Sequence, residues 1–195
     1  MKVVAIVEGY GEVTALPVLL RRLGDWRTPG LPIEILPPIR VQRDRFLNRE
    51  EEFRRYLLLA AAKCGENGWV LVLLDADDDC PSELAAPLLQ RVQAYIGHRR
   101  ASVVLANREY EAWFIAAAES LNHQRGFNFD PTDFIDAETP RDAKGWIGAR
   151  MLGGTYRETT DQTAFSARMN LQQAFNHSRS FRKLTREWDR QIEAT

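Results

Sequence analysis

The sequence predicts an α/β fold: a mostly parallel β-sheet with helices on both faces, followed by a C-terminal helical extension. Three observations predict it. Strand-like and helix-like stretches alternate four times within the first 121 residues, the pattern of βα units around a parallel sheet. The run Leu71-Val72-Leu73-Leu74, bounded by Gly68 and Pro81, is apolar without alternation, as in a strand buried on both faces. After Leu121 the alternation stops and loop and helix signals take over. The chain therefore divides into an α/β part, 1–121, and a helical part, 122–195, packed on it. At 195 residues it is long enough for one such core with a small appendage.

Each element has its own signal. Lys2 to Val7 is β-branched and apolar, a first strand ending at Glu8. Gly9-Tyr10-Gly11-Glu12 reads as a tight turn. A helix follows, with Ala15, Val18, Leu19 and Leu23 on one side, and Pro17 suits its first turn or a kink. Gly24 to Pro32 is loop. Ile33 to Val41 alternates weakly around Pro37-Pro38, so it is a short edge strand. Arg49 to Ala62 is helical, with Phe53, Tyr56, Leu57, Ala60 and Ala61 at helical spacing. Trp69 to Leu74 is the central strand. Ser82 caps a helix from Glu83 to Ile96. Ala101 to Leu105 is a further strand, and Glu109 to Leu121 a helix that buries Trp113, Phe114, Ala117 and Leu121. Asn122 to Glu138 is a long loop. Thr139-Pro140 starts a helix that ends at Gly153-Gly154, Thr159-x-x-Gln162 starts another to Asn176, and Ser180 starts the last. In that last helix Phe181, Leu184, Trp188 and Ile192 face inward.

Composition excludes several classes. Apolar residues make up 45% and charged residues 27% of the chain, ordinary for a globular protein. No apolar run approaches a membrane span, and the N-terminal strand meets Glu8 too early for a signal-peptide core. Two cysteines, Cys64 and Cys80, make neither a disulfide scaffold nor a zinc knuckle, so a reducing cytoplasm is the expected setting. Net charge is −1, but residues 140–195 carry ten basic against six acidic residues. That excess allows an anionic partner without demanding one.

Chemistry concentrates at three strand ends. The first delivers Glu8 and then Glu12, the central one delivers Asp75, Asp77, Asp78 and Asp79, and the next is followed by Glu109 and Glu111. In an open parallel sheet these ends share one edge, where ligands bind. Uncompensated, the carboxylates would repel one another. Hard divalent cations with oxygen ligands are the usual compensation, and Mg²⁺ combines one or two carboxylates with waters and substrate phosphates. Two metals about 4 Å apart would clamp both oxygens of a phosphodiester displacement.

Val7-Glu8-Gly9-x-x-Glu12 after a first strand, with Asp75-x-Asp77 after a later one, resembles a TOPRIM domain, shared by topoisomerases, primases and the overcoming-lysogenization-defect (OLD) nucleases. More narrowly, the chain resembles the DUF4276 family. The carriers are the opening Glu-Gly-x-x-Glu, Leu74-Asp75-Ala76-Asp77, Glu109-Tyr110-Glu111-Ala112-Trp113-Phe114, Ala143-Lys144, Tyr156-x-Glu158-Thr159-x-Asp161-Gln162 and Ser180-Phe181. The resemblance implies a TOPRIM-like sheet. It implies Glu8 as metal ligand or general acid/base, Glu12 as a second metal-serving carboxylate, and Asp75 and Asp77 as the Asp-x-Asp metal pair. It also implies Lys144 as a lysine near the scissile phosphate. Glu109 and Glu111 have no counterpart in the minimal motif; Glu111, beside the inward Trp113, is favoured as the buried, functional one and joins the metal set. Family resemblance further implies a separate AAA/ABC-type ATPase partner in an antiphage locus. The chain has no G-x-x-x-x-G-K-[ST] of its own.

The expected function is thus a Mg²⁺- or Mn²⁺-dependent nuclease acting on DNA or RNA. The alternative is a TOPRIM-like subunit that docks on an ATPase without cutting. Plainer roles stand beside these. Asp78 and Asp79 shape the turn and helix entry. Glu12 could serve only the helix N-terminus. The stripe Arg179, Arg182, Lys183, Arg186 and Arg190 reads first as a solvated face. Nucleotide-sugar transfer would leave Glu8 and Glu12 without a task, and a HAD-type phosphatase would need its acidic nucleophile on the first strand.

Overall fold

The computed structural model describes residues 1–193, so the last two positions of the predicted extension lie outside the described residues. The chain begins with β1 (Lys2–Val7), α1 (Tyr10–Arg27), β2 (Glu34–Ile35) and β3 (Ile39–Arg40). It continues through α2 (Arg43–Asn48), α3 (Glu50–Cys64), β4 (Trp69–Asp75), α4 (Pro81–Ile96) and β5 (Arg100–Ala106). All strand pairs are parallel, in the order β2-β1-β4-β5, with β3 also on β1 beyond β2. Pro37-Pro38 lies between the two short edge strands, where the absent N–H groups leave the ladder on β1 unbroken only in two-residue pieces.

Alternate strand residues feed two apolar layers. Val4, Ile6, Val70, Val72 and Leu74 pack against Phe53 and Leu57 of α3 and Leu88 and Val92 of α4. Val3, Ala5, Leu71, Leu73 and Val104 face the other way, against Leu16 and Leu20 of α1. The same layer takes in Phe165, Phe181, Leu184 and Trp188 from the C-terminal part. Helices therefore cover both faces, and the helical extension completes one of the two covers. Helices α5 (Ala112–Ala116) and α6 (Ala118–Leu121) close the α/β part, and the extension carries α7 (Ala143–Gly148), α8 (Thr163–Ser166), α9 (Leu171–His177) and α10 (Arg179–Glu193).

Several boundaries differ from expectation, each for a local reason. Gly9-Tyr10-Gly11-Glu12 is not a free turn. Gly9 is the N-cap of α1, and the helix starts at once because Glu12 reaches back to cap it. Pro17 lies inside that helix, which runs on to Arg27 rather than stopping at Gly24. Cys80, not Ser82, occupies the N-cap position of α4, without a side-chain hydrogen bond to the helix, and Pro81 takes its first position. Asp142, not Thr139, caps α7: its Oδ1 accepts the Gly145 N–H at 2.7 Å, which delays the start by a turn. The predicted helix at 109–121 breaks at Ala117, whose φ of −118° is not helical. The predicted 159–176 helix is three pieces: a π-helical turn Glu158–Gln162, then α8, then α9 with its own Asn170 cap. Helix α2 went unpredicted.

Candidate functional site

The chain leaves β1 toward β2 and β3 on one side, then returns to place β4 and β5 on the other. The carboxyl ends of β1 and β4 thus flank a topological switch point, where open α/β sheets form a ligand crevice. Glu8 follows β1 and Asp75 ends β4. Glu109 and Glu111 follow β5, the next strand.

An inner group of acids is buried here. Glu12 is 4% exposed and Glu111 is 0% exposed. Glu12 Oε2 accepts the N–H groups of Glu8 and Gly9, both at 3.1 Å. Asp75 Oδ1 accepts the Tyr110 N–H at 2.8 Å, which ties the end of β4 to the segment after β5. Glu111 Oε1 accepts from the Tyr156 hydroxyl at 3.0 Å and from Gln162 Nε2 at 3.2 Å. Its Oε2 is buried without a hydrogen-bond partner. Burial, then the charges of Glu12 and Glu111, hold the Asp75 carboxyl well above its ordinary range. Burial likewise raises Glu12, against the opposing pull of the two amides. Glu111 is pushed up to about 8, first by burial, against the pull of Lys144.

Lys144 is the cation set into this group. Its Nζ lies 2.8 Å from Glu158 Oε1 and 3.7 Å from Glu109 Oε1, and its backbone N–H donates to Glu109 Oε2 at 3.1 Å. Burial opposes its charge, but Glu111, Glu158 and Glu109 together raise its pKa, so it stays protonated.

An outer group lies nearer solvent. Glu8 is half-buried, and burial followed by Asp77 raises its carboxyl. Asp77 adopts φ +51°, a left-handed conformation that Asp tolerates better than most residues. Its side chain lies 3.8 Å from the Arg43 guanidinium. Arg43 donates to the Asp75 carbonyl oxygen at 3.1 Å and pairs with Asp79. Asp78 is taken by Arg108 and Arg141, in keeping with the turn-shaping roles expected of Asp78 and Asp79.

The predicted residues Glu8, Glu12, Asp75, Asp77, Glu111 and Lys144 therefore gather at one edge, with Glu111 the buried member of its pair. Sequence reasoning gave no site role to Arg43, Tyr156, Glu158 or Gln162. The last three did stand in a family-bearing motif, and that was the available signal. Glu158 and Gln162 arrive on the π-helical turn, a form that recurs at functional sites, and Tyr156 lies two residues before it. This turn docks on α1 so closely that a Cβ at Gly11 would lie 1.9 Å from Gln162 Oε1.

The chemistry of the donor set suits a hard cation: oxygen ligands, raised carboxyl pKa values and an unpartnered buried Glu111 oxygen. The side-chain arrangement is less open. Among the described residues, no three His, Cys, Asp or Glu side chains are grouped to hold a metal ion. Glu12 is turned onto the amides of Glu8 and Gly9, just after β1, and Glu109 onto Lys144. A cation here must compete with the cap and the ammonium.

Among the described residues no helix is long and apolar enough to cross a membrane. Comparison with curated proteins and with solved structures finds no match. A family model, "Domain of unknown function (DUF4276)", matches residues 7–187, a span that takes in β1's end, the whole acidic edge and the helical cover. The chain belongs to the DUF4276 family.

Proposed function

We propose that the protein is a TOPRIM-like nuclease, dependent on Mg²⁺ or Mn²⁺, that hydrolyses phosphodiester bonds of DNA or RNA. The observation that carries this reading is the burial of Glu12 and Glu111 beside the half-buried Asp75 at the switch point, with Asp77 exposed nearby and Glu8 half-buried. Carboxyl groups raised by burial and by neighbouring acids are expensive to assemble, and such clusters concentrate at functional sites. A divalent cation held by Glu8, Glu12, Asp75, Asp77 and Glu111 would supply Lewis-acid polarisation of the phosphate. The chain's own residues do the rest. Lys144, half-exposed and held protonated, offers a fixed positive charge to a phosphate at the crevice mouth. Tyr156 and Gln162 fix the orientation of Glu111. Arg43 anchors the strand end that presents Asp75 and Asp77. A cytoplasmic effector role beside a separate AAA/ABC-type ATPase, in antiphage defence, accompanies this reading.

The test is direct. Purified protein is incubated with duplex DNA, single-stranded DNA and RNA in Mg²⁺ or Mn²⁺, alone and with an ATPase encoded beside it. Cleavage that disappears in Asp75→Asn and Glu8→Gln is expected. Absence of cleavage throughout, or variants as active as the parent, would overturn the proposal.

One observation favours a second reading, a non-catalytic TOPRIM-like subunit of an ATPase. Protein groups engage several of the acids: the α1 cap holds Glu12, Lys144 holds Glu109 and Arg43 lies by Asp77. Thermal unfolding in a Mn²⁺ titration separates the two: a metal site raises Tm with concentration, and a docking subunit stays flat.

A further inference from the structure

An aromatic ring stands in solvent beside the acidic crevice. Tyr10, two residues past Glu8, is the first residue of α1 and is 67% exposed. Arg40 closes β3, in register with Val7 at the end of β1. Its guanidinium lies 3.8 Å from the centroid of the Tyr10 ring, and one of its N–H groups donates to the Glu8 carbonyl oxygen at 3.4 Å. Two strand ends and a helix start therefore fix this stack next to Glu8. The guanidinium covers one face of the ring, and an exposure of 67% leaves the opposite face to solvent. Among the described residues Tyr10 meets no second ring, and Arg40 meets no carboxylate within ion-pair distance. In this Arg40 differs from Arg43 and Arg108, whose charges are taken up by Asp79 and Asp78. Arg40 is partly exposed, and a guanidinium carries five N–H donors, so donors remain for an incoming anion.

We propose that the protein selects single-stranded nucleic acid: an unstacked base lies on the open face of Tyr10, and Arg40 meets a phosphate next to it. Every base has a flat face that stacks on an aromatic ring, so such a platform holds a strand whatever its sequence. Within a duplex both faces of each base are covered by its neighbours, and Tyr10 gains nothing from it. Arg40 serves twice. It holds the ring in place from behind, and it supplies a charge that no carboxylate of the protein takes up. This inference deepens the nuclease reading and rests on it for the fate of the bound strand: a base on Tyr10 leads its neighbouring phosphodiester toward Glu8 and Lys144.

Fluorescence anisotropy in Ca²⁺ tests it with three labelled probes of equal length. They are a mixed-sequence single strand, its duplex, and an abasic strand that keeps the phosphates without the bases. The parent protein should bind the single strand at least about tenfold tighter than the abasic strand, and tighter than the duplex. Tyr10→Ala should remove that discrimination and Tyr10→Phe should keep it, with circular dichroism showing both folded. Arg40→Ala should weaken the single and abasic strands alike and flatten their salt dependence. The proposal is overturned by equal affinity of the parent for single and abasic strands, by no binding to any probe, or by a folded Tyr10→Ala that still discriminates. An unchanged salt dependence in Arg40→Ala overturns it too, and tighter binding of the duplex overturns it in favour of a double-stranded substrate. Binding is read apart from cleavage. A protein that discriminates but never cuts sinks the nuclease reading alone, and one that cuts but binds single and abasic strands equally sinks this inference alone.

Discussion

The Tyr156 hydroxyl donates to Glu111 Oε1 at 3.0 Å, while Oε2 of the same buried carboxyl has no hydrogen-bond partner. The residue that orients the deepest acid thus lies 45 positions away, on the helical cover. In Tyr156→Phe, Gln162 alone holds the group. A loss of about 1–2 kcal/mol in urea unfolding is expected, and cleavage should fall with it. A variant as stable as the parent would show that the hydroxyl is replaced by water.

Gly11 is where α1 meets the π-helical turn. A Cβ there would lie 1.9 Å from Gln162 Oε1 and 2.9 Å from the Glu158 carbonyl oxygen. The side chain can move, but the carbonyl belongs to backbone. Gly11→Ala should cost about 1–3 kcal/mol by overpacking, despite Ala's better helix propensity. A rise in Tm would contradict this.

Lys144 places a protonated amine among acids. Lys144→Met removes it at nearly constant length. Under the nuclease reading the cleavage rate should drop by about 10²–10³-fold, with Mn²⁺ still raising Tm. Retained cleavage would remove Lys144 from the machinery while leaving the acids in it.

Glu138 supplies a pH dependence away from the crevice. Burial raises its carboxyl, but hydrogen bonds from Ser180 N–H, Asn107, Ser178 and Arg179 outweigh it, so its pKa lies below the ordinary 4.5. In the window between the two values the unfolded chain binds more protons, and stability rises with pH there. The contribution is complete above about pH 4.5 and is lost as pH falls through the folded value. Glu138→Gln should flatten that part of the acid limb and cost about 1–3 kcal/mol at neutral pH. Unfolding free energies across an acid pH series check both.

Much of this was readable in advance because its signals are local. Apolar runs and their acidic ends fix strands β1, β4 and β5, and order along the chain brings Glu8, Glu12 and Asp75 to one edge. Caps depend on exact backbone geometry that residue type alone does not settle: Asp142 rather than Thr139 caps α7, and α4 opens at Cys80-Pro81 rather than Ser82. Tertiary packing decided the rest. The break at Ala117 and the π-helical turn follow from fitting the cover onto α1 and Glu111, which no single window of residues encodes. Arg43 has no local signal, because its partners, at Asp75 and Asp79, are more than thirty residues distant.

The two covers of the sheet also differ in when they exist. A ribosome releases Trp69, Leu71 and Leu73 long before Phe181, Leu184 and Trp188, which belong to the same apolar layer. At about 5–20 residues per second, the gap is on the order of ten seconds. Through that interval the nascent sheet has α1 on this face but lacks the C-terminal helices, and Glu111 lacks Tyr156 and Gln162. The acidic crevice is therefore assembled last, and the newborn chain is open to chaperones and to aggregation until its C-terminal helix closes over it.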